Sequence, residues 1–359
     1  MFWISRKFTL GLAVLAVSSA CQDDEMLGVP MDGAGAYGLL ARGRLAVYNG
    51  GVDRAAPDTP CQEDARHRQF DFWLGDWNVT AANGAGGSVN QIRPGLDGCL
   101  VSESWTPANG IRGRSINAYD RDLGQWHQTW VSSIPGGNLR MGGGLESDTM
   151  VLRGKRITPS GFDWYDEYRW YVLPTGQVVQ AWKFDSPQQN THLSGALTYT
   201  AAPSVTPAPE TQTTNCRPGG PAQNARQLDF LLGEWTVSAE HGPALGTASI
   251  TSDLSGCLTE ESYRTDRGFS ATSFFYWDPV SRSFWRTYVD SEGERVELRG
   301  TVVDGRLVLT GTEPGPDGRS LQVRVTLEAV ADGVVRQEWA VSEDGEVWEP
   351  EMALVFTRD

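Results

Sequence analysis

Two glutamates are the residues whose type and spacing first suggest chemistry. Glu103 and Glu261 lie 158 residues apart, and each follows a cysteine by four residues on a predicted β-strand. A carboxylate that faces the interior of a folded domain acquires a shifted pKa and is able to bind or polarise a ligand. The alternative is that both side chains point into solvent, as the neighbouring Glu260 suggests. We take Glu103 and Glu261 as candidate ligand-binding residues.

An aromatic cluster in the first half of the chain supplies further candidates. Its members are Trp164, Tyr165, Tyr168, Trp170, Tyr171 and Trp182. Strand alternation places Asp166, Tyr168 and Trp170 on one face. Aromatic side chains with a few charged groups suit a pocket for an aromatic or amphipathic ligand or a sugar, and they equally suit a barrel that fills its own interior. Tyr168 and Trp182 are therefore candidate ligand contacts.

The familiar catalytic motifs are missing from the sequence. It contains no Gly-x-Ser-x-Gly, no His-Glu-x-x-His, no phosphate-binding loop and no histidine beside a serine or cysteine nucleophile. We predict no catalytic residue, no metal site and no cofactor. Three functions stay open: binding of a small, partly apolar molecule, which we favour; an enzyme with Glu103 or Glu261 as general base; and a structural or interaction module with filled barrels.

An internal repeat must position these residues. The segment FDFWLGDWNV at 70–79 recurs as LDFLLGEWTV at 228–237, and LDGCL at 96–100 recurs as LSGCL at 254–258. Near the ends of the copies the offset slips by one, so that 197–200 matches 354–357. Self-similarity over this length indicates a duplicated domain.

Each copy is predicted to be a β-barrel. Aromatic and β-branched runs separated by Asp-Gly turns give about ten short strands in hairpin order. An antiparallel meander of this kind usually closes on itself because closure removes exposed edges. Short helical patterns at 64–72 and 222–230 precede the barrels and are expected to cover one end of each. The predicted fold class is all-β, with two tandem antiparallel barrels.

The N-terminus has the pattern of an export signal. Arg6 and Lys7 precede an apolar run that is too short to span a bilayer, and small residues follow it up to Ala20. Ser19, Ala20 and Cys21 resemble a bacterial lipoprotein processing box, although Ser18 stands where that pattern has Leu. Lipidation of Cys21 would anchor the chain to a membrane surface, whereas ordinary cleavage after Ala20 would release a soluble product. We expect a periplasmic protein or an outer-membrane-anchored lipoprotein.

The remaining boundaries follow from composition. After the signal peptide, 1–20, we expect a flexible tether at 21–60, a first barrel at 61–202, a Pro/Thr-rich linker at 203–221 and a second barrel at 216–359. Loss of the signal takes the formal net charge from −15 to −17. This acidity disfavours nucleic acid and anionic lipid as partners. We expect a small-molecule partner, and membrane contact only through a lipid on Cys21.

The cysteines are expected to form disulfides. Export implies an oxidising compartment, and four cysteines lie within the repeats. Their recurrence at matching places predicts the pairs Cys61–Cys99 and Cys216–Cys257. Metal binding is the alternative, but the sequence has no Cys-x-x-Cys and no clustered histidines.

The ordered set of motifs resembles known barrels. The Gly-x-Trp segments are similar to the opening strand of lipocalin-like and fatty-acid-binding-like proteins, and the longer pattern resembles an uncharacterised bacterial family of secreted calycin-like domains. This resemblance implies a cup-shaped barrel with an interior pocket and no known reaction. Related nitrobindin-like domains bind haem through a late histidine, for which His192 is the candidate; the alternative is a surface histidine.

The first copy is the better candidate for binding. It departs further from the family pattern, with the aromatic cluster and a Gly-rich stretch at 142–144. Irregular segments near barrel rims are where sites tend to be built. We predict that the first barrel has the more accessible pocket and that Glu103, Tyr168 and Trp182 line it.

Overall fold

The computed structural model describes residues 59–134, 137–158, 160–314 and 320–358. Within these ranges each copy forms ten strands. In the first copy they are, from β1 to β10, Gly75–Ala81, Ser88–Gly95, Leu100–Thr106, Gly113–Asp120, Gln125–Ser132, Leu139–Glu146, Thr149–Ile157, Asp163–Val172, Val178–Ser186 and Thr191–Ala202. In the second copy they are, from β11 to β20, Gly233–Ala239, Ala244–Asp253, Leu258–Thr265, Ser270–Asp278, Ser283–Asp290, Arg295–Val303, Arg306–Pro314, Ser320–Ala331, Val334–Ser342 and Glu349–Arg358.

Both sheets close into barrels. Every strand pairs antiparallel with its sequence neighbours, and the last strand of each copy pairs with the first, as in the contacts of Trp77 with Ala201 and of Trp235 with Arg358. The predicted fold class, two tandem antiparallel barrels of ten strands, is confirmed. Because side chains alternate along each strand, one set of residues fills each barrel and the other set forms its outer face.

Short helical turns cover one end of each barrel. In the first copy they are an α-helix at Pro60–Glu63 and 3-10 helices at Ala65–Arg68 and Asp71–Trp73, and in the second copy a 3-10 helix at Gln223–Leu231. The predicted segment at 64–72 is thus two short 3-10 turns, and the one at 222–230 is a 3-10 helix shifted by one residue. The Trp77 indole donates to the Trp73 carbonyl at 2.9 Å, and the Trp235 indole donates to the Leu231 carbonyl at 2.8 Å. These bonds tie each turn to the first strand.

The two predicted disulfides are present. Cys61 is bonded to Cys99 and Cys216 to Cys257, across 38 and 41 residues. The first bridge links the helical turn at Pro60–Glu63, and the second links the segment before the 3-10 helix at Gln223–Leu231, to the end of the 3-10 turn that precedes the third strand of the same barrel. Loop-closure entropy gives each bridge about 4 kcal/mol of stabilisation.

The outer faces of the barrels pack against one another. The apolar residues buried there come from both copies and include Leu100, Ile116, Ala118, Val131, Leu254, Leu258, Phe274, Tyr276 and Val289. Around them Arg114 donates to Asp253 at 2.7 Å and to Glu260 at 2.9 Å. Glu260 therefore belongs to this contact, which we call the seam.

The segment between the barrels lies along the seam. The Asn215 side chain donates to the carbonyl of Ser133 in the first copy at 2.7 Å. In the second copy the hydroxyl of Ser255 donates to Glu210 at 2.9 Å. The linker therefore contacts both barrels along its course.

The export signal, the tether up to residue 58 and the lipidation candidate Cys21 lie outside the described residues. Among the residues that are described, no helix has the length and apolar character needed to cross a membrane.

Candidate ligand-binding site in the first barrel

The first barrel contains an open cavity of about 170 Å³. Its lining residues come from β3, β5, β6, β8, β9 and β10 and are Glu103, Trp105, Gln128, Trp130, Leu139, Tyr168, Gln180, Trp182, Leu197 and Tyr199. The structure thus brings Glu103, Tyr168 and Trp182 together around one space. Whether a ligand binds there stays a prediction.

An aromatic layer separates this cavity from the covered end of the barrel. The Phe70 ring packs edge-on against Trp126 and Trp170, and the Trp73 ring contacts Tyr199 with 6.3 Å between ring centroids. Tyr168 stacks on Trp170 at 5.7 Å. Because the helical turn at Asp71–Trp73 supplies part of this layer, the turn supports two of the residues that line the cavity.

Glu103 is the acidic group of the cavity. Its side chain is 3% exposed. The Asn90 amide donates to Oε1 and the Ser115 hydroxyl donates to Oε2, both at 2.7 Å. Burial raises the pKa of Glu103 to about 7, although both hydrogen bonds oppose the rise. The carboxyl group therefore changes charge near neutral pH.

Neutral polar groups surround this carboxyl group. Gln128 donates to Asn117 at 2.7 Å, and Asn117 donates to the Ser115 hydroxyl at 3.0 Å, which completes a chain that ends on Glu103. Across the cavity the Tyr199 hydroxyl donates to Gln180 at 2.8 Å. Burial raises the pKa of Tyr199 well above its usual value, so this phenol stays protonated.

Indole rings form much of the wall. The rings of Trp130 and Trp182 lie flat against the backbone of Gly113 and Gly195: a Cβ built on Gly113 would come within 2.1 Å of Trp130, and one on Gly195 within 2.4 Å of Trp182. These two glycines therefore give the rings room to lie against the barrel wall. Trp105 is half-buried and completes this side.

An ion pair adjoins the cavity on the same interior face. Arg156 binds the buried Asp166 at 2.9 Å. Its guanidinium lies 5.1 Å from the ring centroid of Trp164 and 5.3 Å from that of Phe184. Phe184 stacks on Trp182 at 4.6 Å. The two opposite charges of this pair lie beside the aromatic wall and neutralise each other.

The second barrel differs at the equivalent place. Glu261 is buried, but Arg286 donates to its carboxylate at 2.9 Å and occupies the interior. Only about 10 Å³ of space remains between Glu261, Arg286 and their neighbours. Glu261 thus faces inward as its position predicts, and its partner is a side chain of the same barrel.

His192, the candidate haem ligand, points outward. Its side chain is 71% exposed and lies 2.7 Å from Asp185. Strand alternation explains this, because Leu197 and Tyr199 on the same strand line the cavity and His192 has the opposite parity. No group of three metal-binding side chains occurs in the described part of the chain.

The contrast between the two barrel interiors was not predicted from the sequence. Gln128 and Arg286 occupy the same repeat position, as do Trp130 and Tyr288. A comparison of inward-facing positions across the repeat would have revealed a cation in one copy and a neutral amide in the other. Trp105 and Gln180, which the aromatic cluster did not include, also line the cavity.

A larger groove of about 770 Å³ runs along the seam. Its lining is mainly acidic, with Asp120, Asp122, Asp290, Glu292, Glu294, Glu297 and Glu313. Asp290 accepts backbone hydrogen bonds from Glu292 and Glu294, both at 3.0 Å, so part of this acidity holds a turn in place. We therefore place the candidate site in the first barrel.

Comparisons with known proteins found similar chains among solved structures. No protein-family model and no curated protein matches the chain. Similar solved structures include a proposed outer membrane protein of Bacteroides fragilis, at 10% identity over 81% of this chain and 99% of that one, with a TM-score of 0.19. A protein of unknown function from the DUF3598 family of Nostoc punctiforme has 12% identity over 82% and 100%, with a TM-score of 0.21. Isotype 1 transferrin-binding protein B from serogroup B Neisseria meningitidis has 10% identity over 72% and 66%, with a TM-score of 0.16.

Proposed function

We propose that this chain is an exported cell-envelope protein of the calycin-like type whose first barrel binds a small, partly apolar molecule. The observation that carries the proposal is the cavity of about 170 Å³ in the first barrel, where the second barrel keeps only about 10 Å³. An apolar cavity of about 150 Å³ is able to hold a benzene ring. The second barrel, with its filled interior, acts as a structural partner.

The lining of the cavity defines the kind of ligand. Three indoles offer flat apolar contact, and Glu103, Gln128 and Gln180, each two residues before one of these indoles on the same strand, offer hydrogen bonds in the adjacent layer. Binding sites of this type combine apolar walls with a few placed polar groups. A small aromatic molecule with one polar end satisfies both surfaces.

The location rests on the N-terminal pattern and on the disulfides. Two buried disulfides suit an oxidising compartment. Cleavage before Cys21 and lipidation of its thiol would hold the barrels at a membrane surface. Mass spectrometry of the protein purified from its own membranes measures the added lipid mass directly.

Native mass spectrometry of the purified chain, followed by calorimetric titration with 2-phenylethanol, tests the binding function. Leu197→Trp fills the cavity and should abolish binding. Ser194→Trp, on the same strand but at an exposed side chain of outward parity, is the matched control and should bind normally. Equal binding by both variants would place the ligand elsewhere and contradict the proposal.

A second candidate function rests on Glu103 alone. A buried carboxyl group with a pKa near 7 is suited to general acid–base catalysis at neutral pH. If the barrel is an enzyme, Glu103→Gln will retain ligand binding and lose conversion of the bound molecule. If it is a binding protein, the ligand recovered from the wild type will be chemically unchanged.

A further inference from the structure

The two barrels line their interiors with equivalent residues. Glu103, Ser115 and Trp130 of the first barrel correspond to Glu261, Ser273 and Tyr288 at the offset of 158. After the one-residue slip, Gln180 and Trp182 correspond to Gln337 and Trp339, and the strand register agrees, because Leu197 pairs with Gln180 as Leu354 pairs with Gln337. The second barrel therefore shows what this constellation is able to hold.

In the second barrel these residues surround the guanidinium cation of Arg286. Arg286 is 2% exposed, and its guanidinium donates to Glu261 at 2.9 Å, to Ser273 at 3.0 Å and to Gln337 at 3.3 Å. The same group lies 4.8, 5.6 and 5.3 Å from three aromatic ring centroids, those of Phe275, Tyr288 and Trp339. A carboxylate combined with ring faces at these distances is a recognition site for an organic cation.

The first barrel keeps this site and lacks its cation. Glu103, Ser115 and Gln180 supply the same polar groups, and Trp130 and Trp182 supply ring faces at the positions of Tyr288 and Trp339. Indole is the strongest ring for cation–π contact. At the position of Arg286 stands Gln128, whose amide donates to Asn117 at 2.7 Å. Asn117 in turn replaces Phe275, the third ring of the cage.

We propose that the ligand of the first barrel carries an ammonium or guanidinium group, which binds Glu103 at the place that the Arg286 guanidinium occupies in the second barrel. The apolar body of the ligand then lies against Trp105, Trp130 and Trp182. This inference rests on the proposed binding function and names the chemical class of its ligand.

The charges around Glu103 agree with this assignment. Its hydrogen bonds come from Asn90 and Ser115, which are neutral. Tyr168 on β8 and Tyr199 on β10 face the same space, and burial raises the pKa of both phenols, so neither competes as an anion near pH 8. Arg156 and Asp166 form an ion pair with each other. Binding of a cation should therefore strengthen as the pH rises through about 7, where Glu103 ionises.

Three probes of similar size and different charge test the inference. We would titrate the mature chain at pH 8 with 2-phenylethylamine, 2-phenylethanol and phenylacetate by calorimetry. The amine should bind at least about tenfold more tightly than the alcohol, and phenylacetate should bind most weakly. Glu103→Gln should bind amine and alcohol with similar affinity, because the variant has no charge to offer.

A reciprocal substitution supplies a second test. Gln128→Arg places the cation of the second barrel in the first and should abolish amine binding while the circular dichroism spectrum stays that of the wild type. Both substitutions leave the acidic groove of the seam unchanged, so amine binding that keeps its wild-type affinity in both variants would lie there and overturn the inference. If Gln128→Arg does not fold, the Glu103→Gln titration decides alone.

The outcome separates the inference from the proposed function. Alcohol binding equal to or tighter than amine binding, blocked by Leu197→Trp, would overturn the cation assignment and leave a binding barrel. Absence of binding for all three probes would contradict the inference, and the binding function would then rest on native mass spectrometry alone.

Discussion

The hydroxyl oxygens of Thr129 and Thr287 lie 2.9 Å apart in the seam, and the two residues occupy the same position of the two copies. The next strand repeats the relationship: Arg140 and Glu297 are the strand partners of these threonines and form an ion pair at 3.4 Å. Equivalent residues that meet one another define a pseudo-twofold axis through the seam. The barrels therefore pack as an isologous dimer would, within one chain.

The threonine contact should behave as a coupled pair. Both side chains are 1% exposed. Thr129→Val leaves the Thr287 hydroxyl buried without its partner, so we expect the free energy of unfolding to fall by about 1–3 kcal/mol. Thr129→Val with Thr287→Val removes both polar groups at constant shape and should recover most of that loss. Additive losses in a urea-unfolding double-mutant cycle would show that the hydroxyls do not interact.

Gly113 should be required for the cavity. A methyl group at this position would meet the Trp130 ring, so Gly113→Ala should push the ring into the cavity and cost about 1–3 kcal/mol of stability. Probe binding should weaken at the same time. Gly144→Ala is the control, because nothing lies within 4 Å of the added methyl group. Equal unfolding midpoints and equal affinities for the two variants would contradict the close packing of Trp130.

The sequence predicted the two barrels. It did not reveal that one interior contains a cavity and the other a buried ion pair. The sequence left open whether Glu103 and Glu261 face inward or into solvent. Both face inward, with the parity of their buried strand partners Ser115 and Ser273. Strand parity assigns His192 to the outside, so the histidine alone was a poor guide to haem. The pairing of Glu261 with Arg286 depends on contacts across the barrel, between strands that the local pattern does not relate.

The seam also lay beyond the sequence analysis. Ile116 and Phe274 have outward parity and are nevertheless buried, because each barrel covers the other. From the strand pattern of a single barrel, both side chains would be predicted to be exposed to solvent. Apolar residues on the outer faces, Ile116 and Ala118 on β4 and Phe274 and Tyr276 on β14, are the signal that these faces are covered. The partner that covers them is identifiable only from the assembled chain.

The pKa of Glu103 predicts a pH-dependent stability. Burial raises this pKa from 4.5 to about 7, so between these values the folded chain binds a proton that the unfolded chain releases. The free energy of unfolding should therefore decrease as the pH rises through this window, by up to about 1.4 kcal/mol per unit, and level off above it. Glu103→Gln removes this contribution. Urea unfolding from pH 4 to 8 measures it as the difference between wild type and variant, and parallel curves would refute the assignment.

Arg286 should stabilise the second barrel chiefly by neutralising Glu261. Its side chain is nearly inaccessible, and it is the donor to a carboxylate that is 5% exposed. Arg286→Ala leaves that carboxylate buried and unpaired, and a loss of about 3–5 kcal/mol is expected. Arg286→Met combined with Glu261→Gln removes both charges and keeps most of the volume, so it should be close to wild type in stability.

Urea unfolding of the intact chain distinguishes charge from packing in this pair. The matched control is Arg336→Ala, on β19 of the same barrel, which binds Glu240 and Glu338, both at 2.6 Å. Because Arg336 and both partner carboxylates are each about 30% exposed, water replaces the lost interaction there, and the cost should stay below about 1 kcal/mol. If Arg286→Met with Glu261→Gln is as unstable as Arg286→Ala, the arginine acts by filling space. In that case the cation-binding character of the shared constellation, and with it the assignment for Glu103, would lose its support from the second barrel.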